Sequence, residues 1–257
     1  MDLIKNPFKA ALAEGTQQIG LWCSIPGSGH AEALAGCGFD WIIIDTEHTA
    51  IDYATVQAML QATEPYPTHF GVRPGWNDPV EIKRLLDIGA QTIVVPYVQD
   101  EDEAARAVAA VRYPPHGIRG VSGLTRASRY GQITDYTARA NAEICLIVQI
   151  ESAHALTRIE AIAQVEGVDG IFIGPADLAA SMGHPGNPGH AEVKSAVLDG
   201  IRRIVAAGRP AGLLSLDPAF MAEAIGAGAR FTAVDVDTAI LLRGARQAVQ
   251  TWKSGNS

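Results

Sequence analysis

Two acidic residues follow short apolar runs near the middle of the chain. Glu151 closes the run C-L-I-V-Q-I-E, and Asp177 follows D-G-I-F-I-G-P-A. A stretch with helical periodicity separates the runs, so we expect neighbouring parallel strands whose carboxyl ends meet at one edge. Gln149 should face the same side as Glu151, because side chains alternate along a strand. Two carboxylates without a histidine pair predict a site for Mg²⁺ or Mn²⁺ rather than for tetrahedral zinc. The alternative is that both acids only cap the helices that follow.

A base and a cation end two earlier apolar runs. His48 follows Asp45 in I-I-I-D-T-E-H, and Arg73 ends the run F-G-V-R. An imidazole can accept a proton near neutral pH, and a guanidinium can bind a carboxylate or an enolate oxygen with two hydrogen bonds. We therefore expect a proton acceptor and an anion-binding group beside the metal. Two structural interpretations stay open: His48 as a histidine without a catalytic role, and Arg73 as an ion-pair partner of Asp45 or Glu47.

The positions of the lysines bear on the class of enzyme. A Schiff-base mechanism needs a desolvated lysine facing the reacting carbon, and no lysine ends an apolar run. A P-loop, a G-x-G-x-x-G after a strand and a G-x-S-x-G motif are also absent from the sequence. We therefore expect chemistry that depends on a metal ion and on no organic cofactor. The lysines are Lys5, Lys9, Lys83, Lys194 and Lys253.

The elements that would hold these residues alternate regularly. Eight apolar runs read as strands buried on both faces, which is typical of a parallel sheet covered by helices. The length of 257 residues suits one closed barrel, so we predict an α/β fold, a single (β/α)8 TIM-barrel domain over residues 1–257. The predicted strands are Ile19–Ser24, Trp41–Asp45, His69–Arg73, Thr92–Pro96, Ile144–Ile150, Gly170–Gly174, Ala211–Ser215 and Phe231–Asp235. The predicted helices are Ser28–Cys37, Asp52–Thr63, Asp78–Asp87, Asp100–Val111, Ala153–Gln164, Ala191–Ala207, Pro218–Ala227 and Thr238–Trp252.

Composition argues against several classes of partner. The formal net charge of −8 disfavours nucleic acid and anionic membrane as main ligands. Three cysteines without C-x-x-C spacing favour reduced thiols in a cytoplasmic protein. The opening residues MDLIKNPFKAALAEG predict a short surface helix rather than a signal peptide, and no apolar span reaches the length of a membrane helix.

Three segments outside the regular pattern carry further expectations. Residues 112–143 contain five arginines and lead from a helix into a strand, so they start at the end of the barrel opposite the strands' carboxyl ends. Residues 183–189, G-H-P-G-N-P-G, start on the carboxyl side and are the better lid candidate. The last predicted helix, Thr238–Trp252, has an apolar face that could pack on another subunit or on its own barrel.

Five motifs in order give the chain a family resemblance. They are F-D-W-I-I-I-D-T-E-H, V-R-P-G-W-N-D-P, R-Y-P-P-H-G-I-R-G-V, V-Q-I-E and V-D-G-I-F-I-G-P-A-D-L. From about residue 20 to residue 243 the sequence resembles the HpcH/HpaI aldolase family of metal-dependent pyruvate aldolases. The resemblance implies a barrel of the phosphoenolpyruvate/pyruvate type and a role in aromatic-compound catabolism. It also implies a homo-oligomer, a hexamer formed as a trimer of dimers in which the terminal helix is swapped.

The resemblance further implies roles for single residues. Glu151 and Asp177 would bind Mg²⁺, Mn²⁺ or Co²⁺. His48 would accept a proton, and Arg73 would stabilise the transition state. Substrate contacts are expected from Trp22, Gln149, Gly174, Pro175, Ala176, Asp177 and Leu214, and Asp45 is counted with the catalytic residues.

Two positions in this resemblance need comment. Asp87 matches an aspartate that raises the basicity of the histidine. It ends a predicted helix and so lies at the opposite end of its own barrel, from which it would have to act across a subunit interface. Thr46 stands where the family more often has glycine, which predicts an altered pocket and a changed substrate preference.

The predicted reaction is reversible aldol cleavage of a 4-hydroxy-2-oxo acid to pyruvate and an aldehyde. The expected partners are a small-molecule 2-oxo acid and an aldehyde. One alternative is a β-hydroxyacyl-coenzyme A lyase of the citrate or malyl type, for which only the Arg112–Arg139 loop could supply a basic groove. The other is a non-catalytic barrel that binds a keto acid.

Overall fold

Eight parallel strands close into a barrel in the computed structural model, which describes residues 1–254. The strands follow one another around the barrel in chain order, so the prediction of an α/β barrel is confirmed. We call the end at the strands' carboxyl termini the mouth and the other end the bottom. The strands are β1 Gln18–Cys23, β2 Trp41–Asp45, β3 His69–Arg73, β4 Thr92–Val95, β5 Cys145–Ile150, β6 Gly170–Ile173, β7 Ala211–Leu214 and β8 Ala229–Val236.

Twelve α-helices and one 3₁₀ turn connect these strands in the described part of the chain. The predicted helix over residues 153–164 is divided in two, α1 lies in the opening segment that was predicted as a short helix, and α6 and α9 lie where no helix was predicted. The α-helices are α1 Pro7–Ala13, α2 Ser28–Ala35, α3 Tyr53–Thr63, α4 Pro79–Asp87, α5 Glu101–Val111, α6 Tyr136–Glu143, α7 Ala153–Leu156, α8 Ile159–Gln164, α9 Pro175–Ser181, α10 Ala191–Ala206, α11 Pro218–Ala227 and α12 Asp237–Ser254.

The strands are buried on both faces, as their continuous apolar composition predicts. In β2, Ile42 and Ile44 pack outward against the helices, whereas Trp41 and Ile43 fill the barrel interior. Glycines make room for the large interior rings: a Cβ added at Gly20 would lie 2.1 Å from the Trp41 ring. The interior below the mouth is therefore a packed core, and polar side chains gather at the strand ends.

Helix α1 closes the bottom of the barrel, so the prediction that it is a surface helix was wrong. Phe8 is buried against Trp41, 5.5 Å between ring centroids, and against Phe231 at 5.9 Å. Asn6 caps the helix by accepting a hydrogen bond from the backbone N–H of Lys9. The sequence shows that Phe8 and Leu12 are apolar and share one face of α1. It does not show that this face packs on the bottom of the barrel.

Helix α12 leaves the barrel rather than covering it. Asp237 ties its first turn to the end of β1, where the carboxylate accepts hydrogen bonds from the backbone N–H groups of Ser24 and Ile25. Beyond this turn the apolar side chains are exposed, with Leu241 59% and Val249 51% exposed. The apolar face is therefore not packed on the chain's own barrel. The exposed apolar residues of α12 are Ile240, Leu241, Leu242, Val249 and Trp252.

Within residues 1–254, no helix combines the length and the apolar character needed to cross a membrane.

The packing beneath α1 predicts a contribution of His69 to the pH dependence of stability. Its ring stacks on Phe8, its Nε2 lies 2.7 Å from the hydroxyl of Thr92, and burial lowers its pKa to about 4. As pH falls below about 6.5, the unfolded chain binds a proton that the folded chain resists until about pH 4. The contribution of this residue is therefore present above pH 6.5 and is lost between pH 6.5 and 4.

We expect His69→Gln to reduce the loss of unfolding free energy between pH 7 and pH 4 by about 1 to 2 kcal/mol, measured by urea unfolding. The exposed His154 provides the matched control, and His154→Gln should follow the wild-type curve. Parallel curves for His69→Gln and wild type would contradict the assignment.

Candidate active site

A cavity of about 360 Å³ occupies the mouth of the barrel. The structure brings together there every residue that the sequence placed in the site, except Asp87. Seven strands contribute side chains or loop residues to its walls, because strand ends converge where a closed barrel opens. The predicted residues that line it are Trp22, Asp45, His48, Arg73, Gln149, Glu151, Gly174, Pro175, Ala176, Asp177 and Leu214.

Arg73 is held in one orientation by two acids. Its Nε and Nη2 donate to the two oxygens of Asp45 at 2.9 and 2.7 Å, and its Nη1 lies 2.7 Å from Glu47. Burial opposes ionisation of Asp45, but the hydrogen bonds from Arg73 outweigh it and keep the pKa of Asp45 below its usual value. The face of Trp22 lies 4.9 Å from the guanidinium carbon. Arg73 is thus a rigid cation with N–H groups left over for a substrate oxygen, and Asp45 acts through it.

Glu151 is almost completely buried at the end of β5. One of its oxygens accepts a hydrogen bond of 3.2 Å from the backbone N–H of Tyr97, whose left-handed φ of 55° aims that N–H at the carboxylate. Burial, with smaller contributions from the charges of Glu47 and Asp177, raises the pKa of Glu151 to about 8, although Arg73 opposes the shift. A carboxylate in this position favours a bound cation, which would replace the proton.

Gly174 provides the space that the Glu151 carboxylate occupies. A Cβ at this position would lie 2.8 Å from the second oxygen of Glu151 and 2.9 Å from its carboxyl carbon. Pro175 then starts helix α9, whose first turn carries Asp177 to the rim of the same cavity. The short helix was not predicted, but it brings Asp177 to the cavity that Glu151 lines, as the strand ends alone suggested.

Gln149 supplies a further unsatisfied oxygen. The residue is 2% exposed, and its side-chain Oε1 has no hydrogen-bond partner among the described residues although it lines the mouth. Buried amide oxygens are nearly always paired, so this atom indicates a missing ligand. An orphaned amide oxygen together with two carboxylates is a set of hard oxygen donors, which fits a divalent metal ion and a bound acid.

His48 stands at the rim and has little to orient it within one chain. Its side chain is 64% exposed, and its nearest charged neighbour is Glu47, with 3.8 Å between Nε2 and Oε1. The ring lines the cavity that contains Arg73 and Glu151. It can therefore reach a substrate in the mouth, but any group that fixes its orientation must come from elsewhere.

Asp87 is not part of this cavity in its own chain, so the structure corrects its grouping with the mouth residues. It is the last residue of α4, and helices run from the mouth to the bottom. Its carboxylate accepts a hydrogen bond of 2.9 Å from Nη2 of Arg119. Thr46 also stays outside the mouth, because its hydroxyl donates to the carbonyl oxygen of Arg73 at 2.6 Å.

Glu47, which the sequence offered as an ion-pair partner of Arg73, lies beside that guanidinium, and burial raises its pKa. Three residues that line the mouth were missed from the sequence. Phe172 faces inward because strand side chains alternate, a signal the sequence contained. Val236 and Thr238 reach the mouth because β8 continues one residue beyond its predicted end.

The predicted lid segment lies beside the mouth rather than over it. Pro188 and Gly189 line a second cavity of about 520 Å³, which shares Pro175, Ala176 and Leu214 with the mouth. The segment does not line the mouth cavity itself. Its role as a lid stays a prediction.

Comparison with known proteins places the chain among aldolases. Residues 18–243 match the family model described as HpcH/HpaI aldolase/citrate lyase. A pyruvate aldolase from Rhizobium etli is 59% identical over 95% of this chain and 96% of its own. A hydroxypyruvate/pyruvate aldolase from Sagittula stellata is 56% identical over 98% of this chain and 100% of its own. The crystal structure of an HpcH/HpaI aldolase/citrate lyase family protein from Burkholderia cenocepacia superposes with a TM-score of 0.93, at 39% identity over 97% of this chain and 100% of its own.

Gly174→Ala tests whether the space beside Glu151 serves a cation. The new Cβ would displace the carboxylate, so we expect the affinity for Mn²⁺ to fall about tenfold or more, measured by calorimetric titration. Gly189→Ala is the matched control, since its Cβ would meet only the side-chain oxygen of Asn187 at 3.7 Å. Equal Mn²⁺ affinity in the two variants would show that the space has no such purpose.

Proposed function

Since the chain belongs to the HpcH/HpaI aldolase/citrate lyase family and is a carbon–carbon lyase of the aldolase type, we propose that it cleaves 4-hydroxy-2-oxo acids to pyruvate and an aldehyde with a divalent metal ion. The reaction is reversible. Aldolases of this family generally depend on a divalent metal ion. The observation that carries the proposal is the cluster of Glu151, Asp177 and the unpartnered oxygen of Gln149 around one cavity that also holds Arg73.

Glu151 and Asp177 would hold the ion, with Mg²⁺, Mn²⁺ and Co²⁺ as candidates. When bound, it supplies a Lewis acid for the keto group of the 2-oxo acid. Gln149 and the first turn of α9 at Ala176 would orient the acid beside it. Trp22 and Leu214 supply apolar walls that exclude water from the carbon skeleton.

Arg73 would stabilise the negative charge that develops during cleavage, and His48 would accept the proton. Arg73 is held by Asp45, so its free N–H groups stand ready for the oxygen on which negative charge develops as the C3–C4 bond breaks. His48 would accept the proton of the 4-hydroxyl group, directly or through a water molecule. Because Asp45 and Glu47 already fix the guanidinium of Arg73, little reorganisation of this cation would accompany bond cleavage.

Asp87 would act on the His48 of another subunit. In its own chain it lies at the bottom, whereas His48 is exposed at the mouth without an orienting acid closer than Glu47. A carboxylate from a second copy that hydrogen-bonds the ring would fix its tautomer and raise its basicity. The proposed site is therefore complete only in an oligomer.

The exposed apolar face of α12 supports such an assembly. A helix that carries Leu241, Leu242 and Val249 into solvent has not satisfied its apolar surface within the chain. We propose that it packs on a neighbouring copy and that the subunits form the hexamer expected from the family resemblance. The three unpaired cysteines support a cytoplasmic location.

Within one chain, the structure disfavours the coenzyme A lyase alternative. The basic segment 112–139, which would have to bind coenzyme A, lies at the bottom, where Arg126 donates to the carbonyl oxygen of Ile88 and Arg119 pairs with Asp87. A groove at the mouth of the same chain therefore cannot come from it. The non-catalytic alternative leaves the rigid Arg73 and the rim histidine without a purpose.

Removing either proposed metal ligand should abolish most of the activity. We expect Glu151→Gln and Asp177→Asn each to lower kcat/KM for pyruvate release about 100-fold or more, because a Lewis acid at the reacting carbonyl contributes several kcal/mol. A chelator should remove wild-type activity, and added Mn²⁺ should restore it.

Glu160→Gln is the matched control, because this acid pairs with Arg203 on the outer helices. It should leave kcat/KM unchanged. Loss of activity on treatment with borohydride and pyruvate would expose a lysine imine and contradict the proposal. The outcome expected is full activity, since none of the five lysines lines the mouth cavity over residues 1–254.

Mixed oligomers test whether Asp87 acts across an interface. His48→Ala and Asp87→Asn subunits should each be poorly active alone. After they are dissociated and reassembled in equal amounts, roughly a quarter of the sites should combine an intact histidine with an intact aspartate. Activity that stays at the level of the separate variants would place both residues in one subunit's site or remove Asp87 from the mechanism.

A further inference from the structure

A fully buried arginine lies next to Asp87. Arg119, in the long connection before α6, has a side chain with no exposed surface. Its backbone is held as well: its N–H donates to the carbonyl oxygen of Arg112 at 2.9 Å, and that of Ile118 donates to Ala109 at 2.8 Å. The position of this guanidinium is therefore defined by the fold and not by solvent.

The Asp87 carboxylate is the only hydrogen-bond acceptor of this guanidinium among the described residues. Nη2 donates to Oδ1 of Asp87 at 2.9 Å, whereas Nε and Nη1 are buried without partners. The guanidinium carbon lies over the ring of Tyr113, 4.3 Å from its centroid, with the ring of Tyr136 at 5.9 Å. The aromatic faces stabilise the cation and restrict its rotation.

The Arg119–Asp87 pair is energetically costly for a contact that only joins a loop to a helix. Burying a guanidinium with one acceptor costs more than burying an apolar side chain of similar volume. The acid is also unfavourably placed for stability, since Asp87 ends α4, where the helix dipole is negative. Stability alone therefore does not account for the pair, and its geometry must serve another purpose.

Only part of the Asp87 carboxylate is used inside the chain. Its side chain is 21% exposed, and its Oδ2 makes no hydrogen bond among the described residues. Apolar side chains on both sides of Arg119 in the long connection stand exposed, with Ile118 and Val121 each 64% and Leu124 75% exposed. A carboxylate oxygen without a hydrogen-bond donor and an exposed apolar surface thus both occur at the bottom, on either side of the Arg119–Asp87 pair.

We propose that Arg119 is a positioning residue, which holds the Asp87 carboxylate so that its free oxygen meets the mouth of a second copy of this chain. The inference rests on the proposed function, because it assigns Asp87 a partner in the neighbouring site. Arg119 itself touches neither substrate nor metal. It acts through Asp87 by fixing the orientation of one oxygen.

Arg119→Met and Arg119→Lys test this role by steady-state kinetics with Mn²⁺. Arg119→Met should lower kcat about 10- to 100-fold with little change in the KM for the 2-oxo acid, because misplacement of a catalytic partner by about 1 Å has an effect of that size. Arg119→Lys keeps the charge and can still donate to Asp87, so it should recover part of kcat.

The double variant Arg119→Met/Asp87→Asn separates positioning from a structural role. It should be no slower than Asp87→Asn alone, because an arginine that acts through the acid has nothing left to position. Mixed oligomers give a second readout: Arg119→Met should be complemented by His48→Ala subunits and not by Asp87→Asn subunits.

Arg126→Met is the matched control. Arg126 lies in the same connection and donates to the carbonyl oxygen at Ile88, one residue beyond Asp87, but it does not contact the acid. It should lower thermal stability without the selective loss of kcat. Folding and assembly of all variants are checked by circular dichroism and light scattering.

Three outcomes would overturn the positioning role: wild-type kcat in Arg119→Met, additive losses in the double variant, or an equal kcat loss in Arg126→Met. Each of these leaves metal-dependent pyruvate release by the wild type intact. A wild type that releases no pyruvate with Mn²⁺ would instead overturn the proposed function, and the role of Arg119 with it.

Discussion

Negative charge collected in a small cavity is the constraint on which this structure depends. Glu47, Glu151 and Asp177 act on one another at the mouth, where Arg73 is the cation and is already shared between Asp45 and Glu47. Burial makes ionisation of Glu47 and Glu151 costly, and the charges of Glu47 and Asp177 add to that cost for Glu151, which is why its pKa rises to about 8. A dication would reverse the balance, because it makes the ionised forms favourable.

The barrel can hold these carboxylates because its polar side chains lie at the mouth and its apolar side chains fill the interior below. Below the mouth, Trp41 and Phe231 fill the interior, and inward-facing glycines such as Gly20 make room for their rings. Phe8 closes the bottom. Since water cannot enter from below, the polar side chains are solvated only at the strand ends, and their electrostatic interactions stay strong.

The two ends of the barrel pose complementary problems. At the mouth, His48 lacks an orienting acid, whereas at the bottom Asp87 is oriented by a buried arginine and has an unused oxygen. Neither end is satisfied within one chain, and α12 exposes apolar surface as well. A closed assembly of identical copies could provide a partner for His48, for Asp87 and for the apolar face of α12, because every copy carries all three.

The sequence by itself determined the order and type of the strands and most of the contents of the mouth. Short apolar runs such as Trp41–Asp45 that alternate with helical stretches indicate strands buried on both faces. In a parallel barrel the last residues of such strands must meet, so Asp45, Arg73 and Glu151 converge without knowledge of any distance. The two signals are the apolar run itself and the polar residue that ends it, and both can be read within a few residues of sequence.

Only the tertiary structure decided which of these groups contact one another. The bidentate pair of Arg73 with Asp45, the space that Gly174 leaves for Glu151 and the orphaned oxygen of Gln149 all join residues on different strands. Likewise, nothing near Asp87 in the sequence indicates Arg119, 32 residues away. Such contacts depend on register and barrel closure, which are properties of the whole chain and leave no periodic trace in any one segment.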